Sequence, residues 1–140
     1  MATDIPTMQS IDFPSRAENV HLVEKMIDNV CEEHHVSEDH YGNILIAMTE
    51  AVNNAIHHGN SLNESKKTTV CCDLEESKII FTVTDEGPGF NFDDLPDPTA
   101  PENIENPNGR GIFLMKSLAD EISFEDEGRR VELTFNLAAV

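Results

Sequence analysis

Apolar residues change their period several times along the chain, and each change marks an element. Ile11 and Phe13 alternate with polar neighbours ahead of Pro14, which predicts a short first strand. From about Arg16 to His34 the period lengthens. Val20, Val23, Met26, Ile27 and Val30 recur at three- and four-residue steps, as on one face of a helix. Val36-Ser37 breaks that pattern. Ser37 can cap a second helix, with Glu38 and Asp39 in its first turn, where the helix dipole favours acids. Tyr41, Ile44, Leu45, Met48, Val52, Ala55 and Ile56 line this helix over about four turns, and Gly59 is its expected stop.

A polar loop, Asn60 to Lys67, leads to two β-forming runs, Thr68 to Leu74 and Lys78 to Thr84. The short turn Glu75-Glu76-Ser77 between them predicts a hairpin. From Asp85 to Gly111 the chain is rich in proline, aspartate and asparagine and too long for an ordinary connection. A loop of that kind is usually functional, often a lid. A third helix is expected over Ile112 to Ala119. Two closing strands, Glu121 to Glu125 and Arg129 to Leu137, meet at a turn on Glu127-Gly128. The order is β-α-α-β-β, lid, α-β-β, with no internal repeat. Residues 1–140 are therefore expected to form a single α+β domain, a two-layer sandwich whose mixed, mostly antiparallel sheet carries its helices on one face.

Composition narrows the function. The chain carries 27 acidic against 9 basic residues, a formal net charge of −18. Phosphate-backbone and anionic-membrane binding depend on Lys and Arg, so direct nucleic-acid and membrane partners are disfavoured, whereas a nucleotide needs only local donors and a cation. No apolar run approaches the roughly 18 residues of a membrane span. Met1 to Gln9 has no basic cluster followed by an apolar stretch, and a cytoplasmic location is expected. Cys31, Cys71 and Cys72 are then free thiols. The adjacent Cys71 and Cys72 point to opposite faces of their strand.

Three constellations hold candidate chemistry. Glu50 and Asn54 place a carboxylate and a carboxamide one turn apart on one helical face, a start on an oxygen-rich magnesium site. The solvated edge of an amphipathic helix could carry the same pair. Asp85-Glu86-Gly87-Pro88-Gly89 follows a strand. It reads either as a plain strand-end turn or as an acceptor for an amino group, beside glycines that let a flat ring approach the backbone. Asn106-Pro107-Asn108-Gly109-Arg110-Gly111 precedes a helix. It reads as a hinge or as a phosphate cradle of free N–H groups at a helix start, and it matches neither the Walker loop nor the dinucleotide fingerprint.

Taken in order and spacing, these segments resemble the GHKL (histidine kinase-like) ATPase superfamily, and within it the small anti-sigma factor serine kinases. The resemblance runs from Phe13 to Leu137. Glu50 to Gly59 looks like the N box, Asp85-x-Gly87-x-Gly89 like the first glycine box, and Gly109-x-Gly111 with Ile-Phe-Leu-Met like the second. It implies a Bergerat-type ATP-binding fold with a long ATP lid, using ATP and Mg²⁺. Asn54 would hold the metal, Asp85 would accept from the adenine amino group, and Gly87 and Gly89 would shape the adenine pocket. Gly109, Arg110 and Gly111 would bring N–H groups to the phosphates, and Glu50 would be general base towards a substrate serine. The implied partners are a STAS-type anti-sigma antagonist, a sigma factor and a second copy of the chain in a homodimer. Two other functions keep the same boxes: a nucleotide-gated binding module with little transfer, and a detached histidine-kinase-like catalytic domain.

Overall fold

The computed structural model describes residues 8–75, 77–87 and 107–137. The order is β1 (Met8–Pro14), α1 (Val20–Glu33), α2 (Glu38–Asn53), a π-helical turn (Asn54–Gly59), β2 (Lys67–Glu75), β3 (Lys78–Thr84), α3 (Pro107–Leu118), β4 (Glu121–Glu125) and β5 (Arg130–Asn136).

The five strands form one sheet in the order β1-β2-β3-β5-β4. Every pairing among them is antiparallel, so the parallel component expected of a mixed sheet is absent from the described strands. Burial alternates along β2 and β3, with Val70 and Cys72, then Ile79, Phe81 and Val83, on the covered side. On β5, Val131, Leu133 and Phe135 continue that layer. Phe81 meets Phe135 edge-on, with ring centroids 6.2 Å apart, in the middle of the core. The opposite sheet face is polar and half-exposed, and Cys71 lies on it while its neighbour Cys72 is buried. Burial raises the thiol of Cys72 to about 12 and that of Cys31 to about 11, so both stay protonated and packed.

Of the predicted stripes the helices bury Val23, Met26, Ile27 and Val30 on α1 and Ile44, Met48 and Val52 on α2, joined by Cys31, Ala47 and Ala51, while Val20, Tyr41 and Leu45 are partly buried at the edge of the core. The first helix begins later than its pattern. A 3₁₀ turn, Ala17–Asn19, absorbs the change of direction from β1, and Asn19 Nδ2 donates to Pro14 O at 2.7 Å. The Ser37 hydroxyl caps α2 by accepting from His40 N at 3.2 Å.

Two boundaries depart from expectation in ways that matter for the site. The second helix does not stop at Gly59 in a left-handed cap. Its last turn widens, with Asn60 N donating to Ala55 O at 2.8 Å, five residues back. The left-handed residues that reverse the chain come later, at Ser61 (φ 52°) and Leu62 (φ 57°). The third helix starts at Pro107 rather than Ile112, so Gly109, Arg110 and Gly111 lie inside it. Proline suits a first helical position because its missing N–H would have no intrahelical partner there. The two glycines read as breakers in sequence but are tolerated in the helix.

Candidate functional site

Gly111 brings α3 against the end of α2. A Cβ added there would stand 2.9 Å from Glu50 Oε1 and 3.6 Å from both Asn54 Oδ1 and Nδ2. Hydrogen in place of a side chain is what lets the helices approach at this point. Glu50 and Asn54 are half-buried, and among the described residues neither side chain is engaged by a hydrogen bond or an ion pair. A free carboxylate and carboxamide oxygen are hard donors, and such a pair fits magnesium, which binds through one or two protein oxygens and keeps waters and phosphate oxygens for the rest. Among the described residues there is no group of three His, Cys, Asp or Glu side chains that could form a protein-only cage.

Beyond the π-helical turn the chain meets the end of β3. Asp85 follows the last residue of that strand and its N–H donates to Arg129 O at 2.9 Å, extending the β3–β5 ladder by one bond. Gly87 N donates to Asp85 Oδ1 at 2.8 Å, an Asx-type closure that fixes the carboxylate over its own turn. Burial raises the Asp85 carboxyl above its ordinary range. The Gly87 hydrogen bond, the Arg129 charge and Lys66 pull it back, and Asp126 adds to the rise. Gly59 and Gly87 interlock: a Cβ on Gly87 would overlap the Gly59 carbonyl, and one on Gly59 would strike the Asp85 carboxylate.

Asn60 bolts this junction. It is 1% exposed. Its Nδ2 donates to Ser15 Oγ at 2.8 Å and Lys67 O at 2.9 Å, and its Oδ1 accepts from Glu86 N at 2.8 Å. Ser15 Oγ in turn donates to Lys66 O at 2.8 Å and lies 3.0 Å from Thr68 Oγ1. Glu86 Oε1 accepts from Lys67 N at 2.6 Å. The end of β1, the π-helical turn, the start of β2 and the end of β3 are thereby joined through a polar network, buried at Ser15, Asn60 and Thr68 and exposed at Glu86 and Lys67.

The sequence-derived residues thus fall into two groups at the two ends of one π-helical turn. Glu50, Asn54 and Gly111 meet at one end, and Asp85 and Gly87 at the other, against Gly59. Gly109 and Arg110 belong to the first turn of α3 instead of preceding it, and that turn is where helical N–H groups lack partners. The Arg110 side chain, Gly89 and the lid from 88 to 106 lie outside the described residues. Sequence reasoning missed the working parts of Ser15, Asn60, Glu86 and Arg129. Asn60 stands next to the glycine of its motif, a weak hint. Arg129 is 42 positions from the Gly87 carbonyl that its Nε bonds, and nothing in its neighbourhood flags it.

A family model described as a histidine kinase-like ATPase domain matches residues 13–135. The serine-protein kinase RsbW of Bacillus mycoides is 29% identical over 129 residues, covering 87% of this chain and 80% of that protein. The RsbW of Staphylococcus epidermidis is 30% identical over 122 residues, covering 82% and 77%. Among solved structures, the RsbU and RsbW domains of a Mycobacterium tuberculosis protein superpose with a TM-score of 0.70 at 16% identity. That match covers 95% of this chain and 33% of the other, and it shows a shared fold.

Proposed function

The chain belongs to the histidine kinase-like ATPase domain family, and we propose that it is an ATP-dependent serine-protein kinase of the anti-sigma factor type, regulating a sigma factor by partner switching. The relatives named as serine-protein kinases support the activity. The observation that carries it to residues is the meeting of Glu50, Asn54 and Gly111 at one end of a rigid turn whose other end holds Asp85 and Gly87.

In this reading the ATP base lies against Gly87, and Asp85 accepts from its amino group. The phosphates lie towards the first turn of α3, where Gly109 and Arg110 stand; Gly111, fifth in the helix, is beyond the four N–H groups that lack partners and faces Glu50 and Asn54 instead. Asn54, with Glu50 beside it, would hold Mg²⁺, which supplies charge neutralisation to the phosphates. Glu50 takes the proton of the incoming serine hydroxyl as that oxygen bonds to the γ-phosphorus. The bond from the γ-phosphorus to the β–γ bridging oxygen breaks at the same time, and ADP leaves with the electron pair. The seryl substrate is a STAS-type antagonist protein, and a sigma factor and a second copy of the chain are the other partners. No helix is long and apolar enough to cross a membrane among the described residues, and the reading places the reaction in the cytoplasm.

Two substitutions separate binding from transfer. Asn54→Ala is expected to remove Mg²⁺-dependent ATP binding in calorimetry. Glu50→Gln is expected to bind ATP normally and to lose transfer from labelled ATP to a STAS protein by about 100-fold or more. Wild-type affinity in Asn54→Ala, or wild-type transfer in Glu50→Gln, defeats the respective assignment.

A further inference from the structure

Arg129 stands where β5 begins, and three of its contacts converge on the Asp85 turn. Its carbonyl accepts from Asp85 N at 2.9 Å, its Nε donates to Gly87 O at 2.7 Å, and its charge faces the Asp85 carboxylate. Its Nη1 reaches back to Asp126 O at 3.3 Å and lies 3.5 Å from Asp126 Oδ1 and 3.4 Å from Glu127 Oε2. The side chain is 28% exposed, so the guanidinium lies along the turn with its reach fixed at both ends. The three residues Asp85, Glu86 and Gly87 therefore have no loose end: Arg129 holds the first and the last, and Asn60 holds the middle through Glu86 N.

We propose that Arg129 is a positioning residue for nucleotide-base recognition. It touches no nucleotide atom. It fixes the backbone of Asp85 and Gly87 so that the Asp85 carboxylate oxygen left free by Gly87 N accepts from an exocyclic amino group on a purine. The proposal rests on the ATP reading given above and names a residue that this reading does not use. An Asp turn after a strand can be closed by its own Asx hydrogen bond alone. Here a planar cation adds a second tie to the Gly87 carbonyl, and a guanidinium suits that double duty of donor and counter-charge better than an ammonium does.

The charge has a consequence for pH. Three charged groups face the Asp85 carboxyl besides the Gly87 N–H: Arg129 from the start of β5, Asp126 from the turn before it, and Lys66 from the loop before β2. Burial raises the carboxyl and Arg129 restrains the rise. With Oδ1 taken by Gly87 N, a proton on the other oxygen turns it from acceptor into donor, so base recognition falls away as pH drops through the raised value. Without the Arg129 cation that loss begins at a higher pH.

The experiment compares ATP with inosine triphosphate, which lacks the 6-amino group, by calorimetry from pH 5 to pH 8 on the full chain. Because both ligands are measured on the same protein, a merely destabilised variant weakens both and leaves their affinity ratio unchanged. In Arg129→Gln the preference for ATP is expected to shrink by about 10-fold, the scale of one hydrogen bond to a charged group, and the acid midpoint is expected to move upward. In Arg129→Lys, which keeps the cation without the Nε–H fork, the preference shrinks while the midpoint stays. Should Arg129→Gln fail to fold, Arg129→Lys decides alone: a wild-type ratio overturns the assignment. Asp85→Asn is the control. If it leaves the ratio unchanged, the base reading itself fails, and Arg129 with it. If it removes the preference while both Arg129 variants keep it, the base reading stands and the role of Arg129 is refuted.

Discussion

Around Asp85 the backbone and side chains of four segments are tied to one another. Glu50 and Asn54, a single π-helical turn away, face Gly111 without such ties among the described residues. The Asp85 end ties its turn internally, with Asn60 and Arg129 as the braces, and leaves one Asp85 carboxylate oxygen open among the described residues. The Glu50 end leaves a carboxylate and a carboxamide without partners among the described residues. A flat base demands a shaped wall that is present before it arrives, because apolar contact and one amino group offer little energy with which to order a loop. A phosphate–metal cluster brings strong charge of its own and can order flexible oxygens as it binds. The contrast separates a preformed recognition end from a ligand-completed chemical end.

The sharpest way to break this contrast is to push a side chain into the preformed end. Gly87→Ala places a methyl group on the Gly59 carbonyl, an obstacle made of main chain that cannot swing aside. A loss of about 3 kcal/mol or more in denaturant unfolding is expected, with ATP binding gone. An intact melting curve would show that the junction yields. Removing a brace costs less. Asn60→Ala leaves Glu86 N and the Ser15–Thr68 pair short of a buried partner, and about 1–3 kcal/mol of stability should be lost, read from the same unfolding curves. A change below a few tenths would mean that water replaces the carboxamide and that this end is less closed than its geometry. Gly111→Ala probes the other end and has the smallest expected effect on stability, within about 0.5 kcal/mol. The added methyl crowds the tip of Glu50, a flexible carboxylate that can rotate away, and stands at ordinary contact distance from Asn54. Phosphotransfer should nevertheless fall, because the displaced carboxylate is the proposed base. A destabilised protein with unimpaired transfer would reverse the assignment of roles.

The same two ends differ in how far the sequence reveals them. Glu50 and Asn54 are legible because helical spacing alone puts them on one face, and their meeting with Gly111 follows once the third helix packs on the second. The hairpin, the turn at Glu127-Gly128 and the strand limits were readable for a similar reason, since alternation and turn chemistry are local. The braces of the other end were not. Asn60 bonds Glu86 26 residues on, and Arg129 bonds Gly87 across 42, distances over which no periodicity carries information. The widened turn at Asn54–Gly59 reads in sequence as ordinary helix ending in a glycine cap, because a π-helical turn uses the same apolar spacing for its first few residues. The start of α3 reads late in sequence because Gly109 and Gly111 look like breakers, and only packing against α2 shows what the missing side chain of Gly111 is for.

The interlock of Gly59 and Gly87 also bears on how such a site can change over time. Where two side chains crowd each other, enlarging one is often offset by shrinking the other, so the two positions drift together. The obstacle to a side chain at Gly87 is a carbonyl, and every amino acid at position 59 would bring the same carbonyl. No substitution there can make room. The pair is therefore locked without being coupled: correlated change between the two positions would never be recorded, and a search for contacts through such correlations would pass over this close approach.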